Sequence, residues 1–368
     1  MELLVLNQSF DTVSIIDVFE SFNWTDRYNE AGDFELRLLA TPSMISIIRT
    51  DYYLYFQQSE HLMIIEDIEI TTDPEDGNMM KVTGRSLESI LDRRIILNKT
   101  TITANAHFQN AVFRLIREAL GTDADSWRKI SNFVLSENWS EPLHSMLMEK
   151  GAQYTGDNLY ETVVEMCKTK KAGFKVLLNS ENNFVFSLYL GVDRTTANQS
   201  VVPVIFSPYF ENISNTTYYL SVKSLKTINY VAGEGEGTSR RRVVVTRGGS
   251  KYTGLTRREM YTDARDIQSE DDEGNPISTT TYDNLLKQRG REKITKDENS
   301  IAETFEGEVE YRTAFEYGVD YQLGDMVEVA DVYGHETPAR ISEILFSYDE
   351  EGFSINPSFT VPDEEEVD

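Results

Sequence analysis

Alternation of apolar and polar residues dominates both ends of the chain, and helical spacing dominates its middle. Phe34, Leu36 and Leu38 alternate with Glu35 and Arg37, the two-residue period of a strand with one buried face. Leu3–Leu6 and Val13–Ile16 read as short strands. Tyr52–Gln57, Leu62–Thr71 and Met79–Thr83 continue a meander, with a hairpin turn at Asp73–Gly77. Met44–Arg49 reads as a short helix, and Gly84–Leu91 starts another that leaves the strands. The period then changes. Phe108, Val112, Leu115, Ile116 and Ala119 form one helical stripe ending at Gly121. A second helix runs from an Asp157 cap through Leu159, Val163, Met166 and Cys167. Lys168, Lys170 and Lys171 favour its C-terminal dipole, and Gly173 stops it. Phe174–Leu178 and Phe184–Leu190 make a hairpin, whereas 123–151 reads as irregular.

Strand patterning returns after residue 200. Val201–Phe206 and Leu220–Val231 bracket a polar loop, and Arg240–Val245 follows. Ser269–Pro276 predicts a mobile acidic loop. Thr281–Asp297, apolar only at Leu285, Leu286 and Ile294, predicts a surface helix. Phe305–Tyr311, Val327 with Val329, Arg340–Ile344 and Ile355–Phe359 close the chain as a β-meander. Leu323-Gly324-Asp325 is a tight turn into it, with Gly324 free to take positive φ. The predicted class is α+β, mainly β. Two β-barrel-like domains (1–98 and 201–368) enclose a helix-helix-hairpin α/β module (99–200), and the acidic loop and surface helix are inserted around 246–297.

The 368 residues suffice for two to four domains, and 40% hydrophobic with 11% aromatic residues marks a folded chain. A single cysteine, Cys167, excludes an intramolecular disulfide framework and a cysteine-based zinc site. His61, His107, His144 and His335 lie far apart in sequence, so no metal or cofactor is expected. No signal peptide or membrane span is visible, which points to folding in a reducing cytoplasm. The formal charge of −27 disfavours adhesion to nucleic acid or anionic lipid. Such a charge serves solubility, or it lines a passage so that a polyanion does not stick. The Asp363–Glu366 run reads as a solvated terminus.

Each motif that suggests chemistry has a plainer reading. Gly233-Glu-Gly-Glu-Gly237 precedes a valine strand rather than the helix a phosphate loop needs, and its glutamates repel anions. Arg240, Arg241 and Arg242, with Arg257 and Arg258, form the one basic cluster. No aromatic platform interleaves it and the net charge opposes nucleic acid, so an intersubunit or partner contact is favoured. Glu161 and Glu165, one helical turn apart, mimic a glycosidase pair, but nothing in the sequence sets them across a cleft. Ser86 lacks the second glycine of a nucleophile elbow. Trp24, Trp127 and Trp139 read as core or interface anchors as readily as a carbohydrate platform.

Three ordered patterns carry a family resemblance. They are Trp24 with Arg27-Tyr28 and Gly32-Asp-Phe-Glu-Leu36, the helical module, and Tyr321-Gln-Leu323-Gly324-Asp325-Met-Val327. Together they resemble the siphophage tail-tip hub proteins, the group often called Gp37-like, over most of the chain. The resemblance implies a homotrimer closing the tail tube, with two barrels per subunit around a channel through which DNA passes as transient cargo. Implied partners are the distal tail protein, the tape measure protein and receptor-binding or fibre proteins. The implied location is the virion tail tip, after synthesis in the bacterial cytoplasm. Some family members carry an extra C-terminal lytic or fibre domain, and a chain ending at Asp368 is expected to lack it. The competing class is a cell-wall hydrolase, a glycosidase or peptidase, and a third is a cytosolic binding scaffold.

Overall fold

The computed structural model describes residues 1–73, 77–137, 140–309, 315–350 and 352–362. The turn at 74–76, Trp139 and the acidic run 363–368 therefore lie outside the described residues. The N-terminal strands are β1 (Leu3–Leu6), β2 (Thr12–Ile16), β3 (Ser21–Arg27), β4 (Asp33–Leu39), β5 (Tyr53–Phe56), β6 (Leu62–Asp73) and β7 (Gly77–Ser86), with α1 (Pro42–Ile47) between β4 and β5. The module follows as β8 (Thr100–Ile102), β9 (Ala106–His107), α2 (Phe108–Ala119), β10 (Phe133–Ser136), α3 (Glu141–His144), β11 (Leu147–Met148), β12 (Ala152–Tyr154), α4 (Leu159–Thr169), β13 (Gly173–Leu178) and β14 (Phe184–Tyr189). Next come β15 (Ile205–Phe206), β16 (Ile213–Ser221), β17 (Ile228–Ala232), β18 (Arg242–Thr246), β19 (Glu259–Asp263) and α5 (Thr279–Ile294). The chain closes with β20 (Ala302–Val309), β21 (Met326–Ala330), β22 (Glu336–Asp349) and β23 (Gly352–Thr360).

The class is α+β with strands dominant. The two β regions share one 13-stranded sheet, ordered β16-β20-β23-β22-β3-β4-β7-β6-β5-β1-β2, with β21 and β15 beside β22. The seam joins opposite ends of the chain, with Phe22–Arg27 facing Tyr348–Glu343. Among the described residues no pairing closes the sheet into a barrel. One side is apolar: Phe22, Trp24, Phe34, Leu36, Val82, Ile344, Phe346 and Phe359 are buried in a single cluster that crosses the seam. At roughly 25 cal/mol per Å² of apolar surface, this shared burial holds the two halves together.

Tyr28, just past the seam, fixes the module against the sheet. Its amide donates to the Ser342 carbonyl and its carbonyl accepts from the Phe174 amide. Its hydroxyl lies 3.2 Å from the Lys171 carbonyl and accepts from the Gly191 amide at 3.3 Å. The Arg340 guanidinium sits 5.0 Å above the ring and donates to the Gly324 carbonyl at 2.6 Å. Gly324 has φ +93°, and a Cβ there would overlap the Tyr28 ring. A Cβ on Gly173 would likewise overlap the Tyr28 ring. The Asp325 carboxylate, buried, accepts from the Val192 amide and Arg194 Nε at 2.7 Å and from the Gln322 amide at 3.0 Å. Tyr321 packs edge-on against Phe206 at 5.3 Å, and Leu323 is buried beside it in the cluster.

Three expectations need correction. β16 occupies the segment expected to be a polar loop, because its alternation serves a sheet edge with one half-exposed face. Residues 123–151 hold β10, which pairs parallel with β14, and α3. The third concerns α5, which is no surface helix. It buries Tyr282, Leu285, Leu286, Gln288, Arg289, Gly290, Glu292 and Ile294 between the three-stranded β18-β17-β19 sheet and the module. Its polar residues are buried because they are paired. Arg289 meets Asp266 at 2.9 Å and Asp157 at 3.4 Å, while Glu292 accepts from Tyr154 at 2.6 Å. The acidic loop beside it is tied to the module, with Thr101 donating to Asp272 at 2.7 Å.

Replacing Gly324 with Val imposes left-handed backbone on a β-branched residue and drives it into Tyr28. A loss on the order of 3 kcal/mol is expected. Thermal melts should show a clearly lowered midpoint. An unchanged midpoint would mean that this junction does not hold the fold.

Candidate functional site

The side of the large sheet opposite the core is open. Register places Ser21, Asn23, Thr25 and Arg27 of β3 beside Glu343, Leu345 and Ser347 of β22, and beside Asp33, Glu35 and Arg37 of β4. Lys81, Thr83 and Arg85 follow on β7, then Asp67 and Glu69 on β6. Toward the other edge come Ser354, Asn356 and Ser358, then Thr304 and Glu306, then Thr217 and Tyr219. Asn23, Arg37, Asp67, Glu69, Thr217, Tyr219 and Glu306 are exposed, and most of the rest are half-buried. A shallow depression of about 580 Å³ lies over Asn23, Asp33, Glu66, Asp67 and Arg85.

Electrostatics on this face are one-sided. Arg27 is held by Asp33 at 2.6 Å and Glu343 at 2.7 Å. Glu35 accepts from Arg37 and Lys81, both at 2.8 Å, which hold its carboxyl below the usual range. Arg85 meets Glu66 at 2.8 Å and Asp92 at 3.0 Å. These four cations are spoken for, while Asp67, Glu69 and Glu306 project toward solvent. The hydroxyl rows bond among themselves, as Ser347 and Ser354 do at 2.7 Å. Such a face is wetted, acidic and poor in free donors for a phosphate backbone.

Beneath the sheet lies a buried ionic cluster that sequence reading missed. Asp26 accepts from Trp24 Nε1 at 2.8 Å and Ser59 Oγ at 2.7 Å. His61 Nδ1 lies 3.1 Å from Glu88, whose Oε1 also accepts from the Val176 amide at 2.8 Å. Burial opposes charge on His61, but Asp26 and Glu88 outweigh it and raise the imidazole to about 9. Burial raises the Glu88 carboxyl, yet His61 reverses this and leaves it lowered; for Asp26 burial wins. His61 is thus no ordinary polar residue of a strand. Asp26, Ser59, His61 and Glu88 are all sealed from solvent, so the cluster joins β3 to the module rather than meeting a substrate.

The structure places the other sequence candidates as follows. Arg240 donates to Asp263 at 2.6 Å and to the Gly233 and Ala232 carbonyls, and Arg241 pairs with Asp283. Arg242 donates to the Gly237 carbonyl, Arg257 pairs with Glu259 at 2.5 Å, and Arg258 bonds the Val222 carbonyl. Aromatic residues do interleave this cluster in space: Tyr230 and Tyr261 lie side by side on β17 and β19. Strand pairing alone brings them together, so no linear signal announces them. Glu161 and Glu165 line a cavity of about 310 Å³ with Tyr160, Lys168, Glu292 and Lys296. Glu165 is occupied by Lys293 at 3.1 Å and Lys296 at 2.5 Å. Ser86 is buried and accepts from the Gly32 amide, and the glycine-rich loop leads into strand β18. Trp24 is core and Trp127 is exposed. His107 and His144, distant in sequence, stack at 5.2 Å. Among the described residues no group of histidine, cysteine or carboxylate side chains has metal-ligand geometry.

A continuous sheet carrying an inserted α/β module is a fold this chain shares with phage and prophage tail proteins. It aligns over 98% of its length with 99% of the 43 kDa tail protein of prophage MuSo2 from Shewanella oneidensis, at TM-score 0.57 and 13% identity. A tail protein from Neisseria meningitidis MC58 aligns over 98% of this chain and 96% of its own, at TM-score 0.57 and 12% identity. Prophage tail protein gp18 from Listeria monocytogenes EGD-e aligns over 98% and 94%, at TM-score 0.50 and 12% identity. No curated protein matches the chain. The model of the Siphovirus ReqiPepy6 Gp37-like protein family matches residues 2–359, and the chain belongs to that family. The resemblance drawn from the Trp24 to Leu36 segment, the module and the 321–327 turn holds at this level.

The buried cluster predicts a pH dependence. A histidine raised to about 9 contributes stability that is complete below its unfolded value near 6.5 and is lost as pH rises through 9. A loss on the order of 3 kcal/mol between those limits is expected. Denaturant titrations at pH 6, 7.5 and 9.5 check it. His61→Gln should be less stable than wild type at pH 6, with the gap narrowing toward pH 9.5. A wild-type stability that does not fall toward pH 9.5 contradicts the assignment.

Proposed function

We propose that this chain is a structural subunit of a phage or prophage tail tip, a hub that assembles as a homotrimer and closes the tail tube. Family membership and the fold shared with tail proteins support the tail assignment. The open acidic sheet face supports the hub reading most directly. In a ring, that face turns inward and DNA passes over a wall whose central cations are already paired. The two β regions, 1–98 and 201–368, each supply an arc of the wall, and the module, 99–200, lies outside it. Above, the ring meets the distal tail protein and the tape measure protein; below, it meets receptor-binding or fibre proteins. Arg242, exposed, is the member of the basic cluster best placed for an intersubunit or partner contact. The protein is made in the host cytoplasm and works at the virion tail tip.

The hydrolase reading has less support, because Glu165 is bound by two lysines and the buried Ser59, His61 and Asp26 have no route to a polymer.

Light scattering on the purified chain tests assembly. A three-chain mass is expected as ionic strength rises, since salt screens repulsion among subunits of charge −27. A monomer at high protein and high salt, with no ring at tail tips in micrographs, overturns the hub reading. Asp67→Lys with Glu69→Lys and Glu306→Lys should leave folding unchanged, create salt-dependent DNA retention and slow ejection. An unchanged DNA affinity would argue against the lining role. No soluble sugar or amine release from cell walls is expected. Release abolished by one carboxylate or histidine substitution would favour the enzyme.

A further inference from the structure

The three-stranded sheet β18-β17-β19 has α5 on its inner face, and among the described residues no element packs on its outer face. Register puts Val244, Tyr230 and Tyr261 in one row across that outer face. Val244 is 44% exposed and Tyr261 56%. Leu255, two residues before Arg257, is 99% exposed. Arginines frame the row: Arg257 donates to the Tyr230 hydroxyl at 2.6 Å and lies over its ring, and Arg240 donates to the Tyr261 hydroxyl at 3.0 Å. Tyrosines pre-set by arginines, with an exposed leucine on the turn that leads into their sheet, have the composition of an interface centre rather than of a solvated surface.

Charge identifies the occupant. Residues 226–298 hold 14 Lys and Arg against 13 Asp and Glu, whereas the whole chain carries −27, so the remainder carries −28. The face itself bears Arg240, Arg242, Arg257 and Arg265 against Glu259 and Asp263. Two such faces repel each other, so a two-fold contact of like with like is disfavoured. A neighbouring copy offers the acidic surface that complements it, and contact between unlike surfaces of identical chains propagates head to tail into a ring.

We infer that the outer face of β18-β17-β19, centred on Tyr230, Val244 and Tyr261 with Leu255 on the turn that leads into β19, is the surface through which one copy of this chain docks on the acidic surface of the next. This rests on the ring reading above and names the contact that closes it. Arg257 and Arg240 orient the tyrosines, and Leu255 supplies the apolar anchor.

The test compares wild type with Leu255→Asp/Tyr261→Glu and with a control, Trp127→Asp, at an exposed residue of the module. Mass is read by light scattering over a range of protein concentrations, and folding by thermal melts. The expected result is a folded double variant whose assembly needs about tenfold or more protein, with the control unchanged. A double variant that assembles as wild type does overturns the proposal and leaves the ring reading standing. Wild type that is monomeric throughout overturns both. If the double variant instead fails to fold, the single variant Leu255→Asp, at a residue almost wholly in solvent, decides in the same way. Duplex DNA retained by wild type and lost in a folded double variant that still assembles would reassign the face to nucleic acid.

Discussion

Close approach at Tyr28 is the constraint on which the arrangement depends. Four segments distant in sequence meet at one ring: the end of β3, the start of β13, the Gly191 turn and the Leu323-Gly324-Asp325 turn before β21. Gly173 and Gly324 bring bare backbone against the ring, Gly191 meets its hydroxyl, and Arg340 lies over it. Because Tyr28 follows directly on β3, the same few residues set both the seam between N- and C-terminal strands and the docking of the module. Displacing the ring therefore loosens three contacts together.

Charge is handled differently inside and outside this framework. Inside, at Asp26, His61 and Glu88 and along α5, charges are paired in twos and threes and sealed, which costs desolvation but ties segments together specifically. Outside, on the open sheet face, the cations are consumed in pairs and the carboxylate surplus is left free. The same excess of acid thus serves as a wall where it is unpaired and as a set of joints where it is buried. The unit built around α5 departs from the acidic balance, and it sets aromatic rings and arginines together on an open sheet.

Local pattern determined a good deal by itself. Strict alternation at 34–38, the helical stripe from Phe108 to Ala119, the hairpin of 173–189 and the strand after Gly324 were all legible, because each is set by periodicity within a few residues. The order of the three motifs was enough for the family. What the sequence left hidden depends on partners far along the chain. The seam between β3 and β22 joins residues more than three hundred positions apart, and no local signal specifies it. α5 reads as a surface helix because hydropathy counts Arg289 and Glu292 as solvated, whereas Asp157, Asp266 and Tyr154 satisfy them in the interior. His61 looks ordinary until Asp26 and Glu88 close around it. The open acidic face and the Tyr230–Tyr261 row exist only once strands pair, since register alone decides which polar residues become neighbours.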